Sequence, residues 1–359
     1  MSNIHTVLVT GGAGFIGAQT ALGFKKHRSD MRVIALDNLK RRGSELNLSR
    51  LAAGGVEFVH GDIRNPDDLE QLGPVNLIAE CSAEPSVLAG FGGSPRYVLD
   101  TNLIGAINCL ELARRWEADM IFLSTSRVYP IEKLRAIAVV EQETRFSIAE
   151  RQSLPGISEA GISEAFPLDG PRSLYGATKY AAELLIAEYA AMYGLRCVVN
   201  RCGVVAGPWQ MGRVDQGVLA LWVARHIYGG ALAYIGFGGD GKQVRDMVHV
   251  EDLVALALHQ ADHMDTFSGQ VFNVGGGLEN SVSLCELTQY CREATGKTID
   301  IRGQREDRVA DIPLYITDCG RIAETCGWRP RKNIQAIVSD TVQWIQDNKE
   351  ALRPILAGE

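Results

Sequence analysis

"VLVTGGAGFIG", residues 7 to 17, is a β-branched apolar run, a glycine-rich turn and the start of an apolar helix. Gly12, Gly14 and Gly17 satisfy G-x-G-x-x-G, and Gly11, Gly14 and Gly17 give the wider G-x-x-G-x-x-G. Glycines there let the backbone turn sharply and approach a pyrophosphate, whose charge then meets the unpaired N–H groups at a helix N-terminus. A glycine pattern alone is weak evidence. Here a strand precedes it, a helix follows to about His27, and a second apolar run, Arg32 to Leu36, ends in Asp37. That acid lies 20 residues beyond Gly17. A carboxylate there accepts hydrogen bonds from adenine ribose hydroxyls and repels a 2′-phosphate, so NAD is expected rather than NADP. Arg41 and Arg42 are the neighbours that would accommodate that phosphate. In "GDIRN", residues 61 to 65, Asp62 follows a strand end. It sits where an adenine ring would lie, and it equally suits a helix N-cap region with Asn65 and Asp67.

Farther out, Val56 to Val59, Val75 to Ala79 and Met120 to Leu123 read as strands, and "TNLIGAINCLELARRW" (101–116) has helical periodicity. Apolar strands alternating with helices predict an α/β fold, a Rossmann-like doubly wound parallel sheet covered on both faces. Residues 130 to 172 break the rhythm and read as a long surface excursion; within it "GISEAGISEAF" repeats GISEA over 156–165. "SLYGATKYAAELLIAEYAAMYG" is a strong helix stopped by Gly194, and "LRCVVNRCGVV" a strand. The expected domains are a dinucleotide-binding domain over 1–200 with a returning segment at about 245–275, and a smaller mixed α/β substrate-binding domain from about 201–244 and 276–359.

The chain has 359 residues, 36 Lys plus Arg against 43 Asp plus Glu, a net charge of −7. Such a chain is a poor bulk binder of nucleic acid or of an anionic membrane, so an anionic ligand needs a few local cations. Its eight cysteines include no C-x-x-C pair and no zinc spacing, which predicts free thiols in a reducing cytoplasm and no metal site. No basic and apolar leader opens the sequence, and no apolar run is long enough for a membrane span.

"YGATK" places Tyr175 and Lys179 one helical turn apart. An ammonium on that face favours the phenolate form of a side chain that ordinarily ionises near ~10. A phenol poised in this way can take a proton from a sugar hydroxyl while hydride leaves the carbon. The pair alone is common on solvated helices; its weight comes from the dinucleotide fingerprint upstream. "LSTSRVYP", 123 to 130, closes a strand and puts hydroxyls at the ligand-binding edge of the sheet.

Taken together, TGGAGFIG, Asp37-Asn38-Leu39, GDIRN, STSRVY, YGATK, RDMVHVED and GWRP resemble the extended short-chain dehydrogenases/reductases, the NAD-dependent nucleotide-sugar epimerases and dehydratases. The resemblance covers nearly the whole chain. It implies Thr125, Tyr175 and Lys179 as catalytic residues, with Tyr175 the base. It implies cofactor contacts from Gly11, Gly14, Phe15, Ile16, Gly17, Asp37, Asn38, Asp62, Ile63 and Asn102, together with Tyr175 and Lys179. Arg245 and Arg308 would hold the substrate diphosphate; Arg308 also reads as a surface residue in the charged "QREDR". Family dehydratases carry an acid pair after the threonine, whereas this chain has Ser126 and Arg127, so the resemblance implies epimerisation instead of water loss. In the stretches "DNLKRRGSELNL", "VDQG" (214–217) and "GDGKQVRDMVHVEDL" the chain resembles the members that act at C2, and this resemblance implies C2 epimerisation of a CDP-linked hexose. C4 epimerisation of a UDP-hexose or UDP-uronate, a net keto-sugar reductase or dehydrogenase, and a catalytically silent NAD-sensing scaffold are the alternatives. Val204, Ala206 and the Pro of "VYP" depart from the family pattern near the sugar. Family members form dimers through a helix bundle; "NLIGAINCLELA" and "AAELLIAEYAAM" suit that use or plain core helices.

Overall fold

A computed structural model describes residues 4–212 and 216–357. Val214 and Asp215 of the VDQG stretch lie outside the described residues. The strands of the main sheet are β1 (Thr6–Thr10), β2 (Arg32–Asp37), β3 (Glu57–His60), β4 (Leu77–Glu80), β5 (Asp119–Thr125), β6 (Cys197–Cys202) and β7 (Gln270–Val274). They lie in the order β7-β6-β5-β4-β1-β2-β3. The pairings of β1 with β2 and β4, of β2 with β3 and of β4 with β5 are all parallel. The strand order reverses between β1 and β4, and this is the crevice where doubly wound sheets bind ligands at their carboxyl ends.

Apolar runs become central strands because both faces of a parallel sheet are covered. Val7, Leu8 and Val9 are fully buried, as are Ile34 and Ala35 beside them. The principal helices of this unit are α1 (Phe15–His27), α2 (Gly105–Trp116) and α3 (Leu174–Tyr193). From α2, Ala106, Cys109 and Leu110 pack in one core with Ile78, Met120 and Phe122 of the sheet and Ala182 and Ile186 of α3. A π-turn, Asp100–Ile104, leads into α2. Such turns inside helices often mark functional positions, and this one carries Asn102.

The chain packs as two compact units. The first holds Met1–Val128, Leu174–Arg201 and Leu253–Phe272; the second holds Tyr129–Ser173, Cys202–Asp252 and Asn273–Glu359. Sequence reading assigned 129–173 to the dinucleotide domain; in the structure it packs with the second unit, which is therefore comparable in length to the first.

The second unit is built on a mixed four-stranded sheet of Val204–Ala206, Val244–His249, Ser281–Ser283 and Leu314–Tyr315. The helices Val218–Tyr228, Leu284–Thr295 and Ile334–Asp347 pack against one another beside it. The run read as one strand over 195–205 is two: β6 ends at Cys202, Gly203 N–H donates to Val274 O, and Val204–Ala206 pairs with Val244–His249 instead.

The 130–172 excursion is fastened, not loose. Val139–Glu141 and Phe146–Ile148 form one hairpin, and Val139, Phe146 and Ile148 cover Val244, Leu314 and Ile316. The GISEA repeat folds on itself, each copy giving one strand, with Ile157 paired to Ile162. Ile162 then bonds Ile316 O and Asp318 N through its own N–H and C=O. Gly161 has φ +126, and a Cβ there would lie 2.5 Å from Ile316 O. Gly161→Val therefore strains this attachment by on the order of 1–3 kcal/mol. Limited proteolysis is expected to cut within 130–172 faster in the variant than in the parent chain.

Candidate active site

The glycine turn is held by its own backbone. Gly14 N–H donates to Gly11 O at 2.9 Å, and Ala18 N–H to Gly14 O at 3.0 Å, so α1 starts directly on the turn. Gly11 adopts φ +61, and a Cβ on Gly17 would lie 2.0 Å from Gly11 O. The turn is thus closed to side chains, leaving Phe15 and Ile16 in the first turn of α1 beside a bare backbone. Asp37 closes over it from the end of β2: its carboxylate accepts from Ala13 N at 3.0 Å and Leu39 N at 2.8 Å. Burial pushes the Asp37 carboxyl up, against the backbone N–H groups that favour its charge. A bare turn at a helix N-terminus with an acid fixed at the next strand end fits a dinucleotide: backbone N–H groups for the pyrophosphate, remaining carboxylate lone pairs for ribose hydroxyls.

Asn38 and Asp62 meet beside this turn, Asn38 Nδ2 donating to Asp62 Oδ2 at 2.8 Å. Asp62 also binds Arg64, with a 2.6 Å contact to its Nη2. Burial raises the Asp62 carboxyl, yet the Arg64 and Asn38 hydrogen bonds outweigh it and hold the group at about 2. The helix N-cap suggested for this region is Asn65, which accepts from Asp67 N. Arg64 and Lys40 both pack on the Tyr97 ring, Lys40 Nζ lying 3.2 Å from its centroid. Ile63 turns inward, its side chain against Gly105 and its C=O accepting from Asn108.

Asn102 is 1% exposed and ties three segments together. Its amide donates to Glu84 O and Thr178 Oγ1 and accepts from Glu84 N. Thr178 precedes Lys179 on α3, so the π-turn positions the helix that carries the Tyr-x-x-x-Lys motif.

On α3, Tyr175, Lys179 and Glu183 are spaced four apart and share one face. Tyr175 sits partly buried in the first turn. The Lys179 ammonium lies 3.1 Å from Glu80 Oε2 at the end of β4, and 3.4 Å from Ser82 O. One turn on, Glu183 takes a buried bidentate contact from Arg201, at 2.7 Å to Nη2, and accepts from the Ser124 hydroxyl. Ser124 precedes Thr125 at the end of β5; Thr125, 7% exposed, accepts from Arg127 N at 3.1 Å. Thus α3 is bolted to three neighbouring strand ends of the sheet.

Sequence reasoning missed Glu80, Glu183, Ser124 and Arg201. A signal was present for two of them: Glu183 continues the i, i+4 series, and Glu80 is an acid inside an otherwise apolar strand.

Arg245 and Arg308 belong to the second unit. The Arg245 guanidinium contacts Asp311 Oδ1 at 2.8 Å and donates to Ile312 O. Asp311 N–H in turn donates to Arg308 O, so one turn collects both arginines. Arg135 of the excursion donates to Asp311 O at 2.8 Å and adds a third cation there. Among the described residues no group of His, Cys, Asp or Glu gathers in a metal-binding arrangement, no helix is long and apolar enough to cross a membrane, and the eight cysteines are free thiols.

Residues 7–275 match the model of the NAD dependent epimerase/dehydratase family. The chain belongs to that family, whose members are nucleotide-sugar enzymes that use NAD. It is 31% identical to CDP-paratose 2-epimerase of Salmonella typhi, over 94% of this chain and 98% of the relative. It is 29% identical to a putative UDP-glucose 4-epimerase of Methanocaldococcus jannaschii, over 95% and 99% of the two chains. Among solved structures it is similar to UDP-glucose 4-epimerase of Thermotoga maritima with UDP-glucose, at TM-score 0.76 and 26% identity, covering 96% of this chain and 99% of that one.

Two outcomes follow from the site's electrostatics. Glu183→Ala removes the buried carboxylate that Arg201 and Ser124 share and is expected to cost about 3–5 kcal/mol in a denaturant melt. Asp62, held below its ordinary value of about 3.9, stabilises the fold fully above that value. This contribution is lost as pH falls through about 2. Asp62→Asn should remove that acid-side slope, as measured by urea melts across the range.

Proposed function

We propose that this protein is an NAD-dependent nucleotide-sugar epimerase that inverts C2 of a CDP-linked hexose through a transient keto-sugar. The observation that carries the reading is Lys179, fixed one helical turn from Tyr175 on a helix pinned to strand ends of the sheet by buried contacts. Bound NAD supplies a reversible hydride acceptor. Tyr175 takes the proton from the substrate hydroxyl and returns it when the keto-sugar is reduced on its other face. Lys179 holds positive charge near the phenol oxygen and favours its ionised form. Thr125, at the end of β5, shares a hydrogen bond with the reacting oxygen. Gly11, Gly14, Phe15, Ile16 and Gly17 cradle the cofactor diphosphate; Asp37, Asn38, Asp62 and Ile63 border its adenosine end, and Asn102 holds the supporting loop.

Arg245 and Arg308 hold the substrate diphosphate. A guanidinium fork matches a phosphate better than an ammonium does, and Asp311 keeps the Arg245 fork oriented before the anion arrives. Ser126 and Arg127 leave no carboxylate after Thr125 to remove water, which favours epimerisation over dehydration. The similarity to the Salmonella 2-epimerase favours CDP and C2. The similarity to UDP-glucose 4-epimerases keeps C4 inversion of a UDP-sugar as the second reading. A homodimer through the exposed side of α3, where Leu184, Met192 and Tyr193 reach the surface, accompanies the proposal.

Incubation with CDP-, UDP- and GDP-hexoses, followed by NMR of product stereochemistry, tests the substrate. Inversion at C2 of a CDP-hexose with no net consumption of NAD is expected; stoichiometric consumption of added NADH by a keto-sugar would instead establish a reductase. Tyr175→Phe should lower turnover by about 10²–10⁴-fold with NAD content unchanged. Arg245→Ala should raise KM for the nucleotide sugar, with a smaller effect on kcat.

A further inference from the structure

The acidity of Tyr175 depends on how much of the Lys179 charge reaches it. Lys179 is 2% exposed and Glu80 1% exposed, and their charged ends are 3.1 Å apart. A carboxylate that close, in a site shielded from water, offsets the field of the ammonium at every neighbouring group. We infer that Glu80 is a positioning residue for the proton transfer: it fixes the Lys179 ammonium and cancels part of its charge, so that Tyr175 stays a phenol until a second positive charge is beside it. This rests on the reading of Tyr175 as the base.

The other groups facing the pair do not supply the same effect. From α2, Cys109 is a fully buried thiol whose ionisation burial pushes far up, so it is neutral. From β5, the Phe122 ring lies 4.3 Å from Lys179 Nζ. From the segment after β4, Ser82 offers its carbonyl, and Glu84 turns one carboxylate oxygen to Ser86 N. On α3 itself, Glu183 is taken up by Arg201 and Ser124. Burial pushes the Glu80 carboxyl up by more than Lys179 draws it down, and the two buried ends face each other as a pair. With Glu80 neutralised, the ammonium acts undiminished on the Tyr175 phenol one helical turn away and favours its ionised form.

A phenol that is neutral by default and ionises only beside an oxidised, cationic ring ties the proton to the redox state of the cofactor. It then accepts the substrate proton when the ring can accept electrons, and has a proton to return once the ring has been reduced.

Ultraviolet difference titration of the NAD-loaded holoenzyme reads phenolate directly and needs no substrate. Subtracting the Tyr175→Phe titration isolates Tyr175. Glu80→Gln is expected to lower the Tyr175 midpoint by about one pH unit, a tenfold rise in its ionisation constant. Glu80→Asp, which keeps the charge and withdraws it by one methylene, is expected to move the midpoint the same way by less, and it decides the matter if the glutamine variant does not fold. A midpoint that is unchanged or higher in either variant overturns the role of Glu80 while leaving Tyr175 as the base. A parent chain that titrates identically to Tyr175→Phe overturns the base assignment, and the Glu80 role falls with it.

Discussion

Two buried ion pairs on one face of one helix hold α3, which carries the proposed base, in register with the sheet. Lys179 meets Glu80 at the end of β4, and Glu183 meets Arg201 at the end of β6 and Ser124 near the end of β5. Buried pairs are poor sources of net stability, because each ion surrenders its hydration. They are demanding about geometry, since a charge displaced from its partner is left uncompensated. The cost of that demand is accepted where position matters: Tyr175 rides on the same face, one turn before Lys179, and Thr125 follows Ser124 in the chain. A helix attached only by apolar packing could slide by fractions of a turn; one pinned by two charged bolts cannot.

The dinucleotide end follows a different constraint, the exclusion of side chains. Gly17 approaches Gly11 O too closely for any Cβ, and the Asp37 carboxylate clasps the turn through Ala13 and Leu39. The result is backbone presented at a helix start with an acid at fixed distance along the next strand. In the second unit one turn at Asp311 gathers hydrogen bonds from the Arg245 and Arg135 guanidinium groups and donates one to the Arg308 backbone, and the proposed diphosphate site is built on it.

The sheet and its cofactor turn were legible because parallel strands buried on both faces leave apolar runs that need no alternation, and because glycine spacing reflects steric limits. The Tyr175–Lys179 helix was legible from composition. The excursion was not, since its strands of two or three residues, such as Ile157–Ser158, are set by distant partners such as Ile316. The division of 195–205 at Gly203 was invisible because both halves are equally apolar, and only the change of sheet separates them. Glu80 was missed because an acid after Ala79 reads as the end of a strand; its meaning lies in a lysine 99 positions later. A contact of that separation leaves only an acid in an apolar run as its local trace, and the partner is written in the fold.

The claim that a retained cofactor removes and returns the same hydrogen is tested most directly with a CDP-hexose deuterated at C2. The account predicts that the inverted product keeps its deuterium at C2 in ordinary water, with none exchanged into solvent. Replacement of that deuterium by solvent hydrogen would contradict it, because inversion would then proceed by loss of a proton from carbon and not by transient oxidation.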